Sequence, residues 1–318
     1  MNRATIPAIG VALLMVVIAC SAAAGVPAGP ASDSEAVALA MAGLRPDQIP
    51  LLKGPRSADG IQAMFATPDI GVGENRIGFV LTNPSGLTRS PAATVSSVYF
   101  PAADAEGEDR QTVLAVFRPW PYGTRGLYTT TLTFDEPGRW RIDISVLGSD
   151  GAPLQAQLSF DVLLAASAPS VGSPAIRSHN KTLEDVDAIE DLTTGSMYDP
   201  DLYQTTIADA VTSGLPTVVV MASPAFCTNA VCGPQVEVLS ELAAKYNGRA
   251  NFIHVDIYDN PQEIQGDLDN GRLTQTVVEW KLPSTEWSFV IDANGIITAR
   301  FESFATMKEV EDALLPNL

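Results

Sequence analysis

Two cysteines, Cys227 and Cys232, are separated by four residues, between a β-branched run and a stretch with helical spacing. A dithiol can exchange with a disulfide if one thiolate is accessible and the second thiol can resolve the mixed disulfide. A helix N-terminus beside a thiol favours its charged form. Pro234 suits a first helical turn, which puts Cys232 at a helix start and Cys227 in the loop before it. Four intervening residues can bend far enough for the ~4.4–6.8 Å Cα separation of a disulfide. The third cysteine, Cys20, closes an apolar N-terminal segment. Once that segment is removed, Cys227 and Cys232 can pair with each other, with a partner protein or with a metal.

Residues 1–20 read MNRATIPAIGVALLMVVIAC, with Arg3 ahead of an apolar run from Ala8 to Ala19. About a dozen residues is too short to cross a bilayer core of ~30 Å and fits the apolar region of an export signal. The end of the run, Val17-Ile18-Ala19-Cys20, resembles a bacterial lipobox. That resemblance implies cleavage before Cys20, lipidation of Cys20, and a location in the cell envelope, outside the cytoplasm. Attached acyl chains would hold the protein on a membrane, each buried CH₂ contributing ~0.8 kcal/mol. The alternative is an ordinary secretory signal cut near 22–24. The stretch 21–57 opens with Ala, Gly, Pro and Ser and reads as a tether.

The chain has 318 residues, 46% of them hydrophobic, enough for two domains with real cores. Its formal charge of −18 is spread without a long acidic block and argues against nucleic acid or an anionic lipid surface as partner. The two histidines, His179 and His254, limit any histidine-based metal site. The Ala-, Ser- and Pro-rich stretch LAASAPSVGSPAIRS lacks both hydrophobic periods, which predicts a linker over 165–181 between domains at 58–164 and 182–318.

The stretch 58–164 predicts seven short strands, at 61–67, 76–81, 94–100, 112–117, 127–134, 140–147 and 156–163. Trp140, Ile142, Ile144 and Val146 alternate with Arg141, Asp143 and Ser145, one face in and one out. Seven such strands with turn residues between them fit an antiparallel sandwich. The pattern at 126–140, Gly-Leu-Tyr to Arg-Trp, resembles the immunoglobulin-like modules of bacterial envelope proteins. Trp120, Tyr122 and Tyr128 either line a binding surface there or fill the core.

The stretch 182–318 alternates. Helical spacing covers 202–213, up to Gly214, and 234–246; continuous apolar runs at 217–221 and 251–258 predict buried strands. A hairpin follows at 288–292 and 296–301, then a helix that Thr306 and Glu309 cap, with Val310, Ala313 and Leu314 inward. This order, with VVVMASPAFCTNAVCGPQVEVLSELAAKY at 218–246, resembles thioredoxin-like domains. The resemblance implies an α/β fold after the sandwich, with Cys227 attacking and Cys232 resolving, and Phe226, Pro283, Glu286 and Trp287 at the rim. It departs from the family in three ways. The motif is CxxxxC. Cys232-Gly233-Pro234 is followed by Gln235, so Cys232 could itself be the attacker, its lost partner at Gln235. Glu286 stands at the family's cis-proline position, and Met221 near that of its buried acid.

The activity implied is thiol–disulfide oxidoreduction on the thiols or disulfides of envelope proteins, with no cofactor. Two other readings stay open. The disulfide could be static, in a non-catalytic interaction module. The pair could instead bind copper with His254 as third ligand, similar to Sco-type chaperones, since soft thiolates suit Cu(I).

Overall fold

The computed structural model describes residues 1, 48, 51–121, 123, 125–148, 151–226 and 232–318. Cys20, Tyr122 and Cys227 lie outside the described residues, as do the export signal beyond Met1 and most of 21–50. The chain divides into two units, Met1–Ala40 and Met41–Leu318, and every element below belongs to the second.

The first sheet is antiparallel throughout. It contains β1 (Gln62–Phe65), β2 (Gly73–Asn83), β4 (Ala92–Phe100), β5 (Glu108–Pro119), β6 (Gly126–Phe134), β7 (Gly138–Leu147) and β8 (Pro153–Val162), with the two-residue β3 (Gly86–Leu87) pairing only with β2. The order is β1-β2-β6-β5-β4-β7-β8. The alternation read at 140–146 holds: Trp140, Ile142, Ile144 and Val146 face a core they share with Phe79, Tyr128 and Phe134. Tyr128 is a core residue whose hydroxyl donates to the Ser90 carbonyl at 2.9 Å.

The ends of this sheet approach one another. The rings of Phe65 on β1 and Phe160 on β8 lie 4.9 Å apart. Gly54 donates to the Ala63 carbonyl, and a Cβ on it would stand 1.8 Å from the Gln157 carbonyl oxygen. Part of the stretch read as tether therefore fills the gap between β1 and β8.

The second sheet has the order β10-β9-β11-β12, from β9 (Thr217–Ala222), β10 (Asn251–Val255), β11 (Glu286–Ile291) and β12 (Ile297–Glu302). β9 and β10 are parallel; β11 runs antiparallel to β9 and β12. The helices are α1 (Ile207–Ala210), α2 (Cys232–Lys245), α3 (Pro261–Ile264), α4 (Gln275–Glu279) and α5 (Met307–Leu314). None is long and apolar enough to cross a membrane.

Both parts of the expected fold class need correction. In place of an immunoglobulin-like sandwich there is one nearly closed, barrel-like sheet. β4 pairs with both β5 and β7, and β5 with both β4 and β6, so no break divides the strands into two facing sheets. Alternation specifies an inward face, which sandwich and barrel share. In place of the α/β thioredoxin-like fold, the molecule is mostly β, and among the described residues only α2 and α5 exceed five residues. The helix expected over 202–213 shows the cause. A 3₁₀ turn, Pro200–Tyr203, ends there, and the chain is capped afresh when Thr206 Oγ1 accepts from Asp209 N and Asn180 Oδ1 from Ile207 N.

The stretch 165–181 packs closely against the second sheet. Gly172 donates to the Ile297 carbonyl and Ile297 to that of Ser173, so it follows the edge of β12, with Ala168 and Ala175 buried. Apolar and polar contacts join the two sheets: Leu127 on β6 is buried in one core with Val290, Phe301 and Phe304, and Val80 packs against it. Arg300 binds the Asp69 carboxylate at 2.9 Å, and Arg76 on β2 pairs with Glu309 on α5 at 3.1 Å.

Candidate functional site

Cys232 is the first residue of α2, is fully buried, and is disulfide-bonded. The chain reaches it from β9, whose six residues are all buried, through Ser223, Pro224 and Ala225. The first turn of α2 carries no acidic side chain, and a helix N-terminus carries partial positive charge. Cys232 Sγ lies 3.7 Å from the carbonyl oxygen of Thr285, in the turn before β11.

Gln235 is buried, and its side-chain oxygen accepts from Ala305 N at 2.8 Å. It anchors the segment ahead of α5. Of the expected rim residues, Phe226 is half-buried, edge-on to Tyr258 with centroids 6.0 Å apart, and Pro283 is half-buried. Glu286 and Trp287 are buried members of β11, and Trp287 stacks on Phe289 with Arg300 over its ring. These two belong to the packing beneath the site. An all-buried strand leaves neither of its faces as a rim.

His254 lies in β10, opposite Val220 in the ladder, and is 1% exposed. Its Nε2 sits 3.0 Å from the Ala222 carbonyl oxygen and therefore carries the proton. Nδ1 accepts from the Tyr203 hydroxyl at 2.6 Å. Burial lowers its pKa to about 4, so it is neutral at pH 7. Both ring nitrogens are thus engaged, and a metal would have to displace one of these bonds. Among the described residues no group of three or more His, Cys, Asp or Glu side chains is placed to hold a metal ion.

Two acids belong to the surroundings of the site that sequence reasoning passes over. Asp256, just after β10, accepts from Thr194 N at 2.7 Å and Thr194 Oγ1 at 2.8 Å. That hydroxyl also meets Ser223 Oγ and accepts from Ala225 N, so Asp256 braces the chain leading toward Cys227. Burial pushes the Asp256 carboxyl up to about 6, against these hydrogen bonds. Glu302 at the end of β12 is also buried, and its carboxyl is pushed up to about 8, first by desolvation and then by the nearby Asp69. The available signal was an acid inside or ending an otherwise apolar strand run, as in NFIHVDIY. Beside the start of α2 runs a groove of about 360 Å³, lined by Met197, Tyr198, Ala225, Gly233 and Val236 among others.

No family model matches this chain, and no curated protein matches it. Among solved structures it is similar to the PmoD soluble domain from Methylocystis sp. ATCC 49242 (15% identity, 37% of this chain, 86% of that one, TM-score 0.22). It is also similar to a superoxide reductase (neelaredoxin) from Ignicoccus hospitalis, at 12% identity over 31% of this chain and 78% of that one, TM-score 0.20. A human fibronectin type-III domain follows at 11% identity, 38% and 89% coverage, TM-score 0.19. At these TM-scores the likenesses bear on neither fold nor function.

Proposed function

We propose that this chain is a lipid-anchored, extracytoplasmic protein that exchanges thiols and disulfides with proteins of the cell envelope. The observation that carries the reading is Cys232: disulfide-bonded, fully buried, and first in a helix of 14 residues. A buried sulfur cannot meet a substrate first but can attack a mixed disulfide on its neighbour. That matches Cys227 as attacker and Cys232 as resolver.

In the reduced pair, the Cys227 thiolate attacks one sulfur of a substrate disulfide. A Cys227–substrate bond forms, and the second substrate sulfur leaves as a thiolate that takes up a proton. Cys232 then loses its proton and attacks Cys227 Sγ. The intramolecular disulfide forms and the first substrate sulfur is released, so the substrate gains the two electrons the pair loses. The reverse sequence oxidises a substrate dithiol.

The packing of Cys232 in one core with Val238, Leu239 and Phe304 favours a second reading, a static disulfide that ties the start of α2 to the loop. The reduction potential separates the two. Exchange proteins lie roughly between −270 and −120 mV, and structural disulfides below about −300 mV. Cys227→Ser should abolish exchange with a small-molecule disulfide, while Cys232→Ser should trap a mixed disulfide on Cys227. A potential below about −300 mV with no trapping would leave the static reading.

A further inference from the structure

The turn that faces the disulfide is tied to the barrel-like sheet by one carboxyl group. Ser284 precedes Thr285, whose carbonyl lies against Cys232 Sγ, and the Ser284 hydroxyl donates to Glu302 Oε1 at 2.7 Å. Glu302 Oε2 accepts from the backbone N–H of Asp69, between β1 and β2, at 2.9 Å. Glu302 is 5% exposed.

The charged groups around Glu302 are otherwise engaged. Arg300, on the same strand, binds the Asp69 carboxylate at 2.9 Å and the Asp69 carbonyl at 2.7 Å. Asp69 also accepts from Ser167 N and Ala168 N. Arg76 on β2 binds the backbone carbonyls of Glu302 and Phe304 and pairs with Glu309 on α5. Desolvated and beside the Asp69 carboxylate, Glu302 holds its proton at neutral pH, its pKa near 8.

We propose that Glu302 is a positioning residue for Cys232. It fixes the Ser284–Thr285 turn so that the Thr285 carbonyl stays against the sulfur, and it links that geometry through Asp69 to the barrel-like sheet. The proposal rests on the reversible pairing of Cys227 with Cys232 described above. Reduction adds two electrons and two protons, breaks the S–S bond and leaves two thiols. Only then does Cys232 carry an S–H that can donate to the Thr285 carbonyl. The carbonyl therefore favours the reduced pair.

The test is the thiol–disulfide equilibrium of the full chain in glutathione or dithiothreitol buffers at pH 7. Ser284→Ala frees the turn with little change in packing and should shift the equilibrium toward the disulfide about three- to tenfold, the upper end being ~30 mV. Glu302→Gln has the shape of the protonated acid and should match the native chain at pH 7. Glu302→Leu cannot hold the Ser284 hydroxyl and should shift the equilibrium as Ser284→Ala does, and adding it to Ser284→Ala should cause no further shift, since both act through one contact. A folded Ser284→Ala chain with an unchanged equilibrium would overturn the proposal, as would a folded Glu302→Leu chain with an unchanged equilibrium. An equilibrium that shifts as expected around a potential below about −300 mV, with no mixed disulfide trapped by Cys232→Ser, would retain Glu302's role and remove the exchange function.

Discussion

The Tyr203 hydroxyl donates to His254 Nδ1 at 2.6 Å, which leaves the imidazole proton on Nε2, facing the Ala222 carbonyl. The histidine expected as third ligand in the copper reading thus joins β10 to the end of β9 and to the 3₁₀ turn before α1.

Tyr203→Phe should therefore destabilise the fold by about 1–3 kcal/mol, because a buried nitrogen loses its donor. His254→Ala should do so without changing Cu(I) affinity. Urea unfolding beside a Cu(I) competition titration checks both; a weaker Cu(I) complex in His254→Ala would restore the metal reading.

The acid limb of stability should carry the signature of His254. Its pKa falls from an ordinary 6.5 to about 4 on folding, so the unfolded chain binds the proton more readily. This contribution is complete above pH 6.5 and is lost as pH falls through about 4. Asp256 has the opposite sign. Its pKa rises from 3.8 to about 6, so its contribution is complete below pH 3.8 and lost as pH rises through about 6. Asp256→Asn should flatten the decline between those values, measured as unfolding midpoints against pH.

Asp69→Ala should cost about 3–5 kcal/mol, since it leaves the Arg300 guanidinium buried without its carboxylate. It also removes the acceptor for Ser167 N and Ala168 N. Limited proteolysis should then cut within 165–181 faster than in the native chain. Equal cleavage rates would show that this contact does not hold the segment.

Gly54→Ala should destabilise by at least about 1–3 kcal/mol, because its Cβ would stand 1.8 Å from the Gln157 carbonyl oxygen and force backbone apart. Thermal unfolding measures it. A neutral result would mean that 51–57 can leave the gap between β1 and β8 at no cost.

Cys20→Ala should leave the export signal uncleaved or release the protein from membranes. Fractionation and N-terminal analysis read this directly, and retention with unchanged processing would remove the lipid anchor.

Local pattern was enough to locate the strands at 76–81, 127–134 and 140–147, the buried runs of β9 and β10, the hairpin of β11 and β12, and the Thr306–Glu309 capping box. Each depends on residues a few positions apart, where periodicity and capping act. Local pattern also placed Cys232 at a helix start. Closure of the first sheet was not legible, because an inward face looks the same in a sandwich and in a barrel. The packing of 165–181 was not legible either, since backbone hydrogen bonds to β12 leave no mark on side-chain composition. The positions of Asp69 and Glu302, 233 residues apart in sequence, meet only in the folded chain. Two acids can share that buried space because Arg300 and the surrounding N–H groups satisfy one carboxylate while burial keeps the other protonated, a balance set wholly by tertiary neighbours.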